Sequence, residues 1–258
     1  MDYRVQDDLK GVLVVSLEQA VAAPYASSRL ADAGARVIKV ERPEGDFARK
    51  YDTMVNGGSA YFVWLNRGKE SLCINLQESL DRALLLRMIA KADVFIENLK
   101  PGTLAKFGID LDSLCHEYEG LIACSISGFG EQGPFSRLKA YDLIVQGETG
   151  LCSITGTPEG AARVGVSVCD IAAGMTAHAA ILQALFKRDR DRNRKGRRIR
   201  VSLFDALADW MNVPFLQYVY SGFENQRSGV NHPSIAPYGA FPTGDGKQVI
   251  FSVQNQRE

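Results

Sequence analysis

The sequence predicts an α/β fold, an open and doubly wound parallel sheet with helices on both faces. Two observations carry that prediction. Short apolar, β-branched runs alternate with longer stretches at helical spacing. The connections between runs are also long enough for the crossover helices that parallel strands require. The chain has 258 residues, 46% hydrophobic and 23% charged, enough for one large globular domain and part of another.

The elements follow in order. GVLVVSL (11–17) is short and β-branched and reads as a buried strand. Pro24 stands where a helix can begin, and AAPYASSRLADAGA continues at helical spacing to Gly34. RVIKVERP (36–43) is a second strand, stopped by proline. ESLDRALLLRMIAKA (78–92) predicts an amphipathic helix and DVFIENL (93–99) the next strand. PGTLAKFG (101–108) has proline at the start and glycine at the end of a helical turn. DLDSLCHEY (110–118) predicts a short helix, and GLIACSISGFG (120–130) a strand entering a glycine-rich loop. VGVSVC (164–169) is strand-like, and a long apolar helix is predicted from Asp170 to Arg188. IRVSLF (199–204) is a strand, and DALADWMNVPFLQYVYSG (205–222) a helix.

After Gly222 the texture becomes loop-rich, with a GDGK turn between short strands. The expected division is a large α/β domain over 1–222. Residues 223–258 are then a linker and the start of a smaller α+β domain.

Composition narrows the function. Thirty basic residues balance thirty acidic ones, so no global field points to nucleic acid or to a membrane surface. The basic run Lys187 to Arg200 contains Asp189 and Asp191 and no aromatic residue, which suits a solvated loop better than a nucleic-acid site. Five scattered cysteines with no CxxC pair suggest reduced thiols and a cytoplasmic protein. MDYRVQDDLKG has charges where a signal peptide needs an apolar core, and no apolar run approaches a membrane span. His116, His178 and His232 lie far apart, so no metal site is expected.

The chain has no P-loop, no GxGxxG after its first strand and no GxSxG elbow. In open α/β sheets ligands bind at the carboxyl ends of strands. Gln19, Glu41, Arg42, Glu97, Asn98 and Asp170 all fall at such predicted ends. Each alone reads as a cap or surface residue, and their shared position is what makes them a candidate set. Asp170 is the only charged residue between Val164 and Leu185. Locally it reads as an N-cap, a place where backbone N–H groups and the helix dipole favour a carboxylate. Ile171, Ala172, Ala173 and Gly174 then read as residues mostly small enough to let a bulky substrate approach. Cys169 beside it reads as a buried strand residue facing away, and His178 as a packed one.

Several blocks also resemble a family. VLVVSLEQAVAAPYASSRLADAGARVIKVERPEGDFAR is similar to the N-terminal signature of the class III CoA-transferases. So are NRGKESLCINL, ADVFIENLKPGTLAKFGID, SGFGEQGPFSRLKAYDLIVQGETGL, the Asp170 segment and GRRIRVSLFDA, all in the family's order. The phrases SLEQAVAAP, YDLIVQGETGL and SVCDIAAGM look most like the members acting on small dicarboxylic acids.

The resemblance implies a Rossmann-like CoA-binding domain, CoA or acyl-CoA as substrate without a metal, and Asp170 as a covalent nucleophile. It implies that Val21 and Ala22 line the CoA site, and that Arg42 contacts its nucleotide end. Ile74, Asn75, Leu76 and Gln77 would lie beside the adenine, and Asn98, Leu99 and Lys100 along the pantetheine. Lys106 and Lys139 would be basic contacts, the latter beside Tyr141. Family members form an interlocked homodimer and run on by roughly a third of their length, so the resemblance makes this chain a fragment or a truncation.

The sequence departs from the pattern in places. Ala23 stands where many relatives have glycine, and Asn75 and Gln77 where many have aspartate and lysine. The GGGG run of the family's small domain has no clear counterpart after Gly222. One alternative is an acyl-CoA racemase of the same superfamily. Racemases use a histidine where this chain has Tyr141, a poor base near neutral pH with an ordinary pKa of ~10. Another is an inactive CoA-binding protein.

Overall fold

The computed structural model describes residues 7–255 and Arg257. In chain order the elements are β1 (Leu13–Leu17), α1 (Ala22–Asp32), β2 (Arg36–Glu41), α2 (Ala60–Asn66), β3 (Glu70–Cys73), α3 (Ser79–Ile89), β4 (Val94–Glu97), α4 (Leu111–Glu117) and β5 (Ile122–Ser127). They continue with α5 (Asp142–Glu148), α6 (Leu151–Ile154), β6 (Gly156–Thr157), β7 (Gly160–Ala161), α7 (Val168–Arg190), β8 (Arg198–Ser202), α8 (Leu203–Ala208), α9 (Asn212–Ser221), β9 (Tyr238–Pro242) and β10 (Gln248–Ser252). Short 3-10 turns occupy Phe47–Lys50, Leu104–Phe107 and Asp209–Met211.

Six strands form one parallel sheet in the order β3-β2-β1-β4-β5-β8. The chain winds outward through β2 and β3, returns to the centre, then winds the other way through β4, β5 and β8. The reversal lies between β1 and β4, and their carboxyl ends flank the crevice where such sheets bind ligands. The predicted doubly wound class is therefore observed.

The two-residue period of the strands divides the core. Val14, Ile96, Cys124 and Val201 pack on one face against α1, α7 and α8. Val15, Phe95 and Ala123 pack on the other against α3 and α4, through Leu85, Ile89, Leu111 and Leu114.

Several expectations change. VGVSVC is not a strand: the chain bends at Gly165–Val166 and α7 begins at Val168. Val168 and Cys169 face the core as the first turn of a helix, and a short apolar run does not distinguish the two states. Cys169 is fully buried, as expected, but on a helix rather than a strand. Strand β3 lies in ESLC, mostly exposed at the sheet edge, so it lacks the apolar run that marks its neighbours. The predicted 205–222 helix is divided into α8, a 3-10 turn and α9. Pro214, in the first turn of α9, has no N–H to continue the preceding ladder. The GDGK turn joins β9 and β10 as an antiparallel hairpin.

Among the described residues one helix, α7, is long and apolar enough to cross a membrane, against the expectation that no apolar run approaches a span. Half of that window is buried inside the protein. Ala172, Ala173, Ala177 and Ile181 on this face belong to the core shared with α1 and the sheet, so α7 is a core helix.

Candidate active site

The turn after β1, residues 18–21, has no glycine, yet it adopts a tight conformation. Ala20 has φ of +61°, a left-handed geometry that costs an alanine about 1 kcal/mol or more. Two side chains hold it there. Asn98, after β4, accepts from the Gln19 N–H at 2.9 Å and donates to the Gln19 carbonyl at 2.8 Å. The Asp46 carboxylate accepts from the Ala20 N–H at 3.0 Å and from Ala48 N at 2.9 Å.

Asp46 belongs to a buried ionic cluster beneath the turn. Lys39 Nζ donates to Asp46 at 2.8 Å and lies 3.5 Å from Glu18. Lys69 Nζ donates to Glu18 at 2.7 Å, and Ser16 and Ser27 donate to the other Glu18 oxygen at 2.6 and 2.5 Å. Burial works against the Glu18 charge, but the two lysines and the donated hydrogen bonds outweigh it and hold its pKa down at about 2. Burial lowers the pKa of Lys69. The sequence reading found none of this cluster. The charged positions within VIKVE and EGD were its signal, since a lysine inside a buried strand needs an anionic partner.

Asp170 occupies the third position of α7 rather than its cap. Ser167 holds the cap position without a capping hydrogen bond. The acid that serves the helix end comes from elsewhere: Asp142, opening α5, accepts the Cys169 N–H at 2.9 Å. Its second oxygen accepts from Gln146 at 2.6 Å, and Gln146 in turn accepts the Val164 N–H at 2.8 Å. No hydrogen bond reaches the Asp170 carboxylate among the described residues. Burial, and then the charge of Asp142, push its pKa up to about 7. The expectation that the helix start keeps Asp170 readily ionised is therefore corrected, because burial and a like charge outweigh the dipole.

The small residues after Asp170 also have a different use. A Cβ on Gly174 would meet the Ala22 carbonyl at 2.7 Å and Tyr25 Cβ at 2.9 Å. Ala172, Ala173 and Gly174 are buried and let α1 cross α7 closely. That crossing brings the start of α1 beside Asp170.

A cavity of about 670 Å³ opens at this point and is lined by Val21, Ala22, Asn98, Leu99, Lys100, Lys139, Tyr141 and Asp170. Phe47, Tyr51, Asp52, Tyr61 and Arg163 also line it, and the sequence reading missed them. A second cavity of about 440 Å³ is lined by Arg42, Ile74, Asn75, Leu76 and Gln77. Gln19 and Leu99 line both, so the Asn98-pinned turn is the wall between them. Lys106 lines neither; it is exposed beside Phe107, which lines the second cavity. The topology thus gathers Asp170 and seven of the predicted contacts around one cavity and the 42 and 74–77 positions around its neighbour. An acid facing one end of a bipartite, partly basic crevice can attack a carbonyl carbon presented there.

The sequence pattern of CoA-transferase family III matches residues 9–258. The chain belongs to CoA-transferase family III. It is 39% identical over 243 residues to the acetyl-CoA:oxalate CoA-transferase of Acetobacter aceti, covering 93% of this chain and 62% of that protein. It is 40% identical over 251 residues to the succinate–glutarate CoA-transferase of Agrobacterium fabrum, covering 94% and 62%. The crystal structure of a CAIB/BAIF family protein from Brucella suis superposes with a TM-score of 0.85 at 39% identity, covering 95% of this chain and 65% of that one. The family III chain therefore spans about three fifths of the length of the curated relatives it matches.

The rival reading of the basic run loses ground in the same structure. Arg188 pairs with Asp93, Arg194 with Asp189, Lys195 with Glu119, and Arg198 and Arg200 with Glu131 and Asp112. Much of its charge is neutralised within the fold.

Proposed function

We propose that this chain carries the CoA-binding, nucleophile-bearing part of a CoA-transferase that exchanges CoA between an acyl-CoA and a small carboxylic acid. Membership of family III supports the reaction class. The placement of Asp170 on the 670 Å³ cavity, with a pKa raised to about 7, supports it as nucleophile. A carboxylate whose conjugate acid is weak, and which burial has partly desolvated, is a stronger nucleophile than an exposed one.

In this reading an ionised Asp170 oxygen attacks the thioester carbonyl, the C–S bond breaks, and CoA leaves as thiolate from a mixed anhydride. The thiolate attacks the aspartyl carbonyl and expels the donor acid as its carboxylate. The resulting aspartyl-CoA thioester is attacked by the acceptor carboxylate, which gives a second anhydride and releases the thiolate again. Attack of the thiolate on the acceptor's carbonyl forms the new acyl-CoA and restores Asp170. No proton is gained or lost overall. Water has to be kept out, because hydrolysis of either intermediate wastes the thioester.

The second cavity would take the nucleotide end of CoA, with Arg42 exposed at its edge for phosphate. The likeness to dicarboxylate-specific relatives supports a small dicarboxylic acid as one partner. The arrangement of large domain, small-domain start and second subunit, and a cytoplasmic location, belong to the same proposal. Mass spectrometry of the full chain incubated with succinyl-CoA and glutarate tests it. A hydroxylamine-sensitive adduct on Asp170, absent from Asp170→Ala, is the expected result. Undiminished transfer by Asp170→Ala would remove Asp170 from the mechanism.

A further inference from the structure

The CoA-transfer reading leaves open what in the cavity recognises the acid. We propose that Arg163 binds the far carboxylate of a dicarboxylic acid whose near end reacts at Asp170. The inference rests on the transfer reading and adds a specificity-determining residue to it.

The charges lining the cavity make the case. Asp52, Asp142 and Asp170 contribute three carboxyl groups to one wall system. Asp52 is committed to capping α2, accepting from Ala60 N at 3.0 Å and from Ser59. Asp142 is committed to Cys169 and Gln146. A dianion entering among these groups needs a cation that the protein has not already neutralised. Arg163 fits this need. It is exposed to the cavity, and among the described residues its guanidinium forms no ion pair and one long hydrogen bond, to the Val164 carbonyl at 3.3 Å. Its remaining N–H groups form the planar fork that grips a carboxylate bidentately.

Position separates Arg163 from Lys100 of the same cavity, and the planar fork separates it from both Lys100 and Lys139. Lys100 lies on the loop that also borders the second cavity, through Leu99. Arg163 lies instead on the segment that leads into α7. The Val164 N–H beside it is held by Gln146, and Gln146 is held by Asp142, which accepts the N–H just before Asp170. Three hydrogen bonds therefore tie the backbone of Arg163 to the start of the helix that bears Asp170. A cation whose backbone is anchored beside the reacting carboxyl favours an acid long enough to reach both.

The test compares glutarate with butyrate, acids that differ in a terminal carboxylate, as CoA acceptors from succinyl-CoA in the full chain. In Arg163→Gln the ratio of kcat/KM for glutarate to that for butyrate should fall about 10- to 100-fold, and Arg163→Lys should restore part of it. Titration of each acid into the CoA-loaded protein should give the same change in the ratio of Kd values. A glutarate-to-butyrate ratio within about twofold of wild type, in rate and in binding, would overturn the inference. If the wild-type chain transfers CoA to neither acid, the transfer reading fails separately, and the binding ratio still decides the role of Arg163.

Discussion

Asp142 stands beside Asp170 as a second carboxylate, and it holds that place by accepting the Cys169 N–H at 2.9 Å. Both acids line the crevice, but only Asp142 is tied to the helix end by a hydrogen bond. Its charge adds to burial in raising the Asp170 pKa to about 7.

The first prediction concerns pH. A nucleophilic Asp170 has to be ionised, so kcat/KM should rise with pH through about 7 and level off above it. Asp142→Asn keeps an oxygen for the Cys169 N–H and removes the charge. The midpoint should then move down, yet stay above the ordinary aspartate value because burial is the larger cause. A pH–rate profile of the variant checks this. An unmoved midpoint would mean that Asp142 acts on Asp170 through shape alone.

The same shift predicts a stability cost. The unfolded chain ionises Asp170 near 3.8, and the folded protein only near 7. Between those values the unfolded state gains by losing its proton first, so stability falls as pH rises and the penalty is complete above pH 7. Asp170→Asn should therefore abolish transfer and raise Tm. The gain at pH 8 should be about 1–3 kcal/mol after allowance for water in the cavity, on the order of 3–10 °C. It should shrink as pH falls to 5. Thermal melts at the two pH values decide it, and a variant less stable than wild type at pH 8 would contradict the assigned cause.

Gly174 gives a packing prediction. An added methyl would lie 2.7 Å from the Ala22 carbonyl and 2.9 Å from Tyr25 atoms. Backbone cannot step aside as a flexible side chain can, so Gly174→Ala should force α1 and α7 apart. The expected loss is about 1–3 kcal/mol of stability, partly offset by the better helix propensity of alanine. Because Val21 and Ala22 line the cavity with Asp170, transfer should fall as well. Urea denaturation and rate measurements on one preparation check both effects.

Much of the architecture was legible because strand runs such as VLVVSL and DVFIENL are apolar, β-branched and bounded by loop signals. β3 was hidden because a mostly exposed edge strand does not need that pattern. The start of α7 was misread because VSVC satisfies strand and buried-helix templates alike. At the site, the polar residues at strand ends pointed to Gln19 and Asn98, since β1 and β4 flank the switch point; Asp170 reads as the end of a strand that is the first turn of α7 instead. Tyr51 and Arg163 come from connections whose path over the cavity no periodicity records, and Tyr61 from α2, a helix too short for its period to stand out. The Asp142–Cys169 bond joins residues 27 apart in sequence, a pairing only the fold creates.

The buried cluster under the turn supplies the last prediction. Lys69 and Glu18 are both almost wholly inaccessible, and their 2.7 Å contact is the shortest link from Glu18 to a cation. Lys69→Met leaves Glu18 with Lys39 at 3.5 Å, a cation already bound more closely to Asp46 at 2.8 Å. An undercompensated buried charge typically costs about 3–5 kcal/mol, so the variant should lose stability on that scale at pH 7. The sign with pH follows from Glu18, whose folded pKa is lowered from 4.5 to about 2. Its stabilising share is present above 4.5 and is lost as pH falls toward 2, so wild type and Lys69→Met should converge in acid. The double variant Glu18→Met, Lys69→Met leaves Lys39 and Asp46 as a matched pair and should recover more than half of the loss. Urea denaturation of the three proteins at pH 7 and at about pH 3 tests the scheme. A double variant as unstable as the single one would show that the cluster acts through its hydrogen bonds to Ser16 and Ser27 rather than through charge balance.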